Sequence, residues 1–249
     1  MAIKVLALVM IGCLSTAPVS AAEVRVFCAG AVEPGLVALS DAFTRETGNV
    51  VRLTAGVPAA LRQRVEAGEA PDVLIAPPRV MDALVQAGKV KAEGRALVAR
   101  VGVGVLVRKG APLPDISSPE RLKQTLLSAE SLVYNRASTG TYFERILDRL
   151  GVAEQVKAKS VRYADGVSVL EHVLSGTGRE VGIGAITEIK EYEPKGLTLV
   201  GPLPGELQNY TSYVAGVVSA AAAPDLGAGF IRFVTSPAAK AAFSATGAQ

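Results

Sequence analysis

Arg136, Ser138 and Thr139 share one loop, Asn135-Arg136-Ala137-Ser138-Thr139-Gly140, placed between a strand pattern and a helix pattern. A guanidinium matches a planar carboxylate through two parallel hydrogen bonds. Three readings of Arg136 stand side by side: a solvated loop cation, a partner for an organic carboxylate, and a partner for an inorganic oxyanion. Other chemistry-bearing residues point elsewhere. His172, within Val169-Leu170-Glu171-His172-Val173-Leu174, has no second histidine or cysteine at metal-ligand spacing and reads as a partly exposed helix residue. Cys28 ends a strand pattern, where a small thiol packs as a hydrophobe; a nucleophile would need a neighbouring base that the sequence does not show. Glu188, Glu191 and Glu193 are interleaved with Lys190 and Lys195 and read as a solvated helix face. Tyr134, Tyr142, Tyr163, Tyr210 and Tyr213 could stack or hydrogen-bond in a cleft, most of them at the rim of a core. There is no P-loop, dinucleotide fingerprint or G-x-S-x-G elbow, and Gly102-x-Gly104 lies inside a strand pattern. Neither a cofactor nor a metal is expected.

Such a loop must be positioned by strands and helices in alternation. Residues 24–28 read as a strand, and Ala29-Gly30-Ala31-Val32-Glu33-Pro34-Gly35 turns into a helix over 36–47 with Leu36, Leu39 and Phe43 on one face. A strand at 50–54 follows; Ala55-Gly56-Val57-Pro58 then opens a helix closed by Gly68. Ala70-Pro71-Asp72 leads into a strand at 73–76 and a helix ending at Gly88. Repeated strand–loop–helix units predict right-handed crossovers and a parallel sheet. A long apolar strand occupies 97–107, and Ser118-Pro119 caps a helix. Strands at 132–134, 159–163 and 181–185 each precede a helix, at 141–150, 166–174 and 187–191. Strands at 197–200 and 212–218 run back, and two helices, near 225–234 and 236–245, finish the chain. The long strand and the stretch 202–212 are expected to cross between two lobes. One lobe would hold 23–102 and 209–249, the other 103–208.

Residues 1–22 read as a secretory leader: Lys4 as a positive start, Val5 to Leu14 as an apolar run, and Ser20-Ala21-Ala22 as a cleavage site. The run is shorter than the roughly 20 residues that span a bilayer. Met10-Ile11-Gly12-Cys13 faintly resembles a lipoprotein processing box, but Met10 suits it poorly, so a free mature chain beginning near Glu23 is expected. Of the two cysteines only Cys28 then survives, which excludes an intramolecular disulfide. The net charge of +3 is thinly spread and no Lys/Arg run occurs, so nucleic acid is not indicated.

The mature chain resembles, over nearly its whole length, the molybdate-binding periplasmic protein family of ABC importers. The resemblance rests on the opening strand and helix, Ala70-Pro71-Asp72-Val73, Gly140-Thr141-Tyr142, and Val181-Gly182-Ile183-Gly184. It extends through Gly201-Pro202-Leu203-Pro204-Gly205-Glu206-Leu207-Gln208 and Phe233-Val234-Thr235-Ser236-Pro237-Ala238-Ala239-Lys240. No one piece is specific; their order and spacing are. The resemblance implies a two-lobed α/β type II periplasmic binding protein fold, each lobe a mainly parallel sheet flanked by helices, joined by two crossing strands. It implies a small anion held between the lobes by helix N-termini, which carry unpaired N–H groups and a partial positive charge. Carried over by motif, the contacts are Gly30 and Ala31, Val57, Ser138 and Thr139 beside Arg136, Ile186, and Tyr213 (or its neighbour Tyr210). The family usually places serines in the first two of these loops. Here Gly30-Ala31 and Gly56-Val57-Pro58 stand instead, and Pro58 has no N–H to give.

The expected function is therefore capture of a molybdate- or tungstate-like oxyanion in the periplasm and its delivery to an inner-membrane ABC permease by a monomeric binding protein. The replaced serines and Arg136 keep a second reading open: a binder of, or an isomerase acting on, a small organic polycarboxylate such as aconitate. One scaffold can host either.

Overall fold

Helix starts in this chain are marked by proline. Pro34, Pro58, Pro78, Pro119, Pro224 and Pro237 all stand in the first turn of a helix, where a missing N–H costs nothing. The computed structural model describes residues 21–249. Apart from Ala21 and Ala22, the leader and the Cys13 box lie outside the described residues.

Strand β1 (Glu23–Ala29) pairs in parallel with β2 (Val50–Gly56) and β3 (Val73–Ala76). Helices α1 (Glu33–Thr47) and α2 (Pro58–Glu66) make the two crossovers, and α3 (Pro78–Gln86) follows β3. Strand β4 (Ala96–Arg108) is the long one. Its first part, Ala96 to Gly102, pairs antiparallel with β9 (Tyr210–Val217). From Val103 onward its partners are β7 (Glu180–Ala185) and β8 (Leu197–Pro202). At this switch the Gln208 carboxamide accepts from the Val103 N–H at 3.0 Å and donates to the Val103 carbonyl at 2.9 Å, acting as a one-residue strand partner.

Strand β5 (Ser131–Asn135) pairs in parallel with β6 (Ser160–Tyr163) and β7. The strand order is β2-β1-β3-β9-β4-β7-β5-β6, with β8 alongside β4. Helices α4 (Pro119–Ser128), α5 (Ser138–Arg149), α6 (Ala153–Val156), α7 (Gly166–Ser175) and α8 (Ile186–Tyr192) flank the second half; α9 (Pro224–Val234) and α10 (Pro237–Ala245) return to the first. The fold is the expected α/β one with a parallel centre in each half. Every antiparallel pair comes from β4, β8 or β9, the strands that cross or border the crossing.

Each half has its own buried cluster. Phe43 meets Phe230 and Phe233 edge-on in the first, each at 5.3 Å between ring centres. Phe143, Leu122, Leu132 and Ile183 anchor the second. Asp72 is 1 % exposed, yet it is satisfied: its carboxylate accepts from the backbone N–H of Arg25 and of Ala223, both at 2.8 Å. That carboxylate ties β1 to the segment leading into α9, which explains a polar residue at the start of a strand that is otherwise fully buried.

Candidate interlobe ligand site

Because β1, β2, β5 and β7 each run directly into a helix, the N-terminal ends of α1, α2, α5 and α8 gather at one edge of the sheet, joined there by α7. A cavity of about 520 Å³ lies among them. Its first wall comes from Ala29 to Ala31 and Glu33, from Gly56-Val57-Pro58 and from Tyr213. Its second wall comes from Ala137 to Thr139, from Asp165 to Ser168 and from Glu188, Glu191 and Tyr192.

The start of α5 is built with care. The Asn135 side-chain oxygen accepts from the N–H of Ala137 and of Gly140, both at 3.0 Å. The carbonyl of Asn135 presses on Gly140 so closely that a Cβ there would lie 1.7 Å from it, which is why glycine stands at this position. The first N–H groups of a helix have no partner inside it; with Gly140 served by Asn135, those of Ser138 and Thr139 lie at the cavity. At α7 the Asp165 carboxylate caps the N–H of Ser168 at 2.8 Å. Val57 caps α2 without any side-chain hydrogen bond.

Glu188 holds the most perturbed acid in the cavity. Its carboxylate stands between the starts of two helices: a Cβ added to Gly30 would lie 2.8 Å from one oxygen, and one added to Gly166 would lie 2.4 Å from the other. Burial pushes its pKa up to about 7, helped by the charges of Asp165, Glu191 and Glu33. Burial also raises Glu33, with Glu191 adding to it. Tyr213 is 2 % exposed; burial and the Glu188 charge push its phenol up, and a hydrogen bond with Ser138 opposes them. Its hydroxyl is therefore a neutral donor at any ordinary pH. Cys28 behind the first wall is raised by burial and by Glu33, so its thiol stays protonated and inert.

Six of the residues singled out in the sequence line this cavity: Gly30, Ala31, Val57, Ser138, Thr139 and Tyr213. Arg136 and Ile186 are not among the lining residues. Arg136 is exposed, and its backbone N–H donates to the Tyr163 carbonyl at 2.9 Å. Ile186 faces the crossing strand, within 3.2 Å of the positions that Cβ atoms on Gly102 and Gly104 would take. Tyr210 lies under the guanidinium of Arg100, 5.3 Å from its ring centre. His172 pairs with the Tyr163 hydroxyl at 2.8 Å.

The solvated-face reading of Glu188 is corrected. Its neighbours Glu191 and Lys195 do pair in solvent, at 3.9 Å, but Glu188 itself points into the cavity. The Glu/Lys alternation concealed it; the useful signal is its place, two residues into a helix that follows a buried strand directly. Asp165 and Gly166 were likewise missed, although Asp-Gly-x-Ser at the head of a helix is an N-cap signature. Among the described residues four carboxylates thus line the cavity, and no lysine, arginine or histidine does. Among the described residues no group of side chains is arranged to hold a metal ion. Helix α8 also joins the two walls: the Thr187 hydroxyl donates to the Ala31 carbonyl at 2.6 Å.

An α/β chain of two halves, linked by crossing strands and enclosing a cavity ringed by helix N-termini, is a two-lobed ligand-binding protein. The chain belongs to the family of bacterial extracellular solute-binding proteins, whose model matches residues 24–249. It is 28% identical over 244 residues to an aconitate isomerase of Pseudomonas sp, covering 94% of this chain and 92% of that one. By fold it is similar to the periplasmic molybdate-binding protein of Azotobacter vinelandii, with a TM-score of 0.78 at 17% identity over 91% of this chain and 98% of the other. It is also similar to PEB3, a Campylobacter jejuni protein solved with L-phospholactate, with a TM-score of 0.70 at 17% identity over 91% and 99%. The likeness to molybdate-binding periplasmic proteins read from the motifs is thus matched by the fold.

Proposed function

We propose that this chain is exported to the periplasm and captures a small organic anion bearing carboxylates, which it hands to an inner-membrane ABC permease. The observation that carries this reading is the convergence of helix N-termini from both halves on a single cavity of about 520 Å³. Those N–H groups suit anionic oxygen. The volume lies in the range of sites for small organic molecules, and a tetrahedral oxyanion wrapped directly by N–H groups would fill little of it. The missing serines of the first wall point the same way. The lobes would be 23–102 with 209–249, and 103–208, closing about β4 and the stretch before β9. Closure would be driven by contacts the ligand makes to both walls at once. Gly30, Ala31, Val57, Ser138, Thr139 and Tyr213 would form the contact, with Arg136 and Ile186 outside it.

Calorimetric titration of the mature protein with trans-aconitate and other di- and tricarboxylates, set against molybdate, tungstate and sulfate, tests this reading. Tightest binding of a carboxylate is expected. Tightest binding of molybdate or tungstate would restore the metal-oxyanion reading.

A second reading, an isomerase of an unsaturated tricarboxylate, is favoured by one observation: an acid that titrates near neutrality faces the cavity, as a proton-transfer group should. The full-length likeness to an aconitate isomerase accompanies it. Incubation with cis- or trans-aconitate, followed by chromatography, separates the two: a binder returns its ligand unchanged.

A further inference from the structure

An anion site lined only by carboxylates poses a question of charge. Glu33, Asp165, Glu188 and Glu191 all line the cavity, and among the described residues no cationic side chain does. Three of them are accounted for. Asp165 caps α7, and Glu191 lies toward solvent beside Lys195, 3.9 Å from its amine. Glu33 stands at the start of α1, where the helix dipole favours a negative charge. Glu188 too lies in the first turn of its helix, α8, but its carboxylate is turned into the cavity, and among the described residues no donor hydrogen-bonds it. It nevertheless holds the central position, its two oxygens against Gly30 of one wall and Gly166 of the other. Both positions are glycine, and a Cβ at either would require the Glu188 carboxylate to shift.

We propose that Glu188 is a ligand-contacting residue that enters the complex as a neutral carboxylic acid, its hydroxyl donating to the bound anion, so that ligand and one proton are captured together. The inference rests on the anion-binding reading above. Its direction agrees with the groups that face Glu188. Glu33 from α1, Asp165 before α7, and Glu191 on its own helix all favour its protonated form. Tyr213 from β9 is a neutral phenol. Lys190 on the same helix is turned away, donating to the Ala245 carbonyl at 3.3 Å, and Glu193 beyond it faces the Leu199 N–H. Among the described residues no neighbouring side chain supplies a compensating positive charge, and a bound anion adds a further negative one. Ionised Glu188 and the ligand would compete for the same helix ends; protonated Glu188 becomes a donor beside them. Below about pH 7 the acid is already protonated, so binding takes up no proton. Above it, each binding event must draw one proton from solvent, and affinity falls as pH rises.

The test uses the intact mature protein with trans-aconitate and molybdate as probes, both fully ionised between pH 6 and 9. Affinity should weaken by up to about tenfold per pH unit from pH 7.5 to 9. Calorimetry at pH 8.5 in buffers of different ionisation enthalpy should show uptake approaching one proton per ligand. Glu188→Gln, which keeps a donor but cannot ionise, should bind with a flat pH profile and no uptake. A bound probe with a flat wild-type profile and no proton uptake overturns the proposal and leaves the anion reading standing. Failure of both probes to bind at pH 6, where the complex should be tightest, overturns both. The proton count needs no variant, so it stands even if the substitution harms folding.

Discussion

The two walls of the cavity differ in what they offer a ligand. The first, from Ala29 to Ala31, Glu33, Gly56 to Pro58 and Tyr213, is built of small apolar residues apart from Glu33 and the Tyr213 phenol, and elsewhere it presents mainly backbone. The second carries Ser138, Thr139, Asp165, Ser168 and Glu188 and presents side chains. The first wall can hold any anion that reaches its N–H groups; the second can distinguish one anion from another by shape and protonation. Selectivity in this protein should therefore change with substitutions in residues 135–139, 165–168 and 188, and much less with those in 29–31 and 55–58.

The largest contrast is expected from two glycines. Gly140→Ala puts a methyl 1.7 Å from a backbone oxygen that cannot turn aside. Overpacking usually costs 1–3 kcal/mol, and this case should reach roughly 3 kcal/mol because the start of α5 must move. Ligand affinity should fall at least tenfold with it. Gly56→Ala on the first wall meets only the end of Leu61, at 3.1 Å, and should cost under about 1 kcal/mol. Thermal melts and titration of both variants measure the difference; equal losses would mean that the walls are equally constrained.

Glu188 makes the second wall sensitive to pH even without ligand. Its folded pKa is raised from 4.5 to about 7. Above pH 4.5 the unfolded chain therefore loses a proton that the folded chain keeps, and stability declines as pH rises until the group ionises in the folded state too. The full cost above pH 7 is on the order of 3 kcal/mol. Glu188→Gln should accordingly raise the melting temperature at pH 8 and leave it nearly unchanged at pH 4.5. A gain of the same size at both values would point to packing instead of charge. Stabilisation won by removing a functional acid is a familiar trade.

The link between the walls is weaker. Thr187→Val removes the hydroxyl that reaches the Ala31 carbonyl and should cost about 1 kcal/mol. If α8 moves with the second lobe, the same change should shift small-angle scattering toward a more open particle. An unaltered profile would mean that packing alone holds the walls together.

Much of this arrangement was legible in the chain. Gly/Pro punctuation and strand-then-helix patterns are local features, so Pro58, Pro78 and Ser118 marked real helix starts, whereas the helix expected from 141 begins at Ser138 and takes in Gly140. The long strand was legible as a crossing because apolar residues outrun what one sheet requires. What sequence could not convey was direction. Glu188 and Glu191 lie three residues apart in the same charged run, yet one stands inside the cavity and the other at its solvent-exposed edge beside Lys195. Arg136 looked chemically apt, but a cation beside a helix start can turn either way. The cap residue Asn135 was invisible for a related reason: its partners are backbone N–H groups, which leave no mark in the residue pattern.

The smallest expected effect is the sharpest probe of the first wall. Val57 caps α2 with extended backbone and no side-chain hydrogen bond, so Val57→Ser should gain about 1 kcal/mol by bonding a free N–H of the first turn. A hydroxyl spent on the helix is not free for a ligand, whereas one turned into the cavity would restore a donor of the kind molybdate binders use. The two uses separate cleanly in measurement. Higher stability with unchanged molybdate affinity would mean that this wall binds through its backbone and that its lost serine is no handicap. Unchanged stability with tighter molybdate binding would mean that anion choice can be reset from the first wall, and that the division of labour between the walls is a matter of which residues now occupy them.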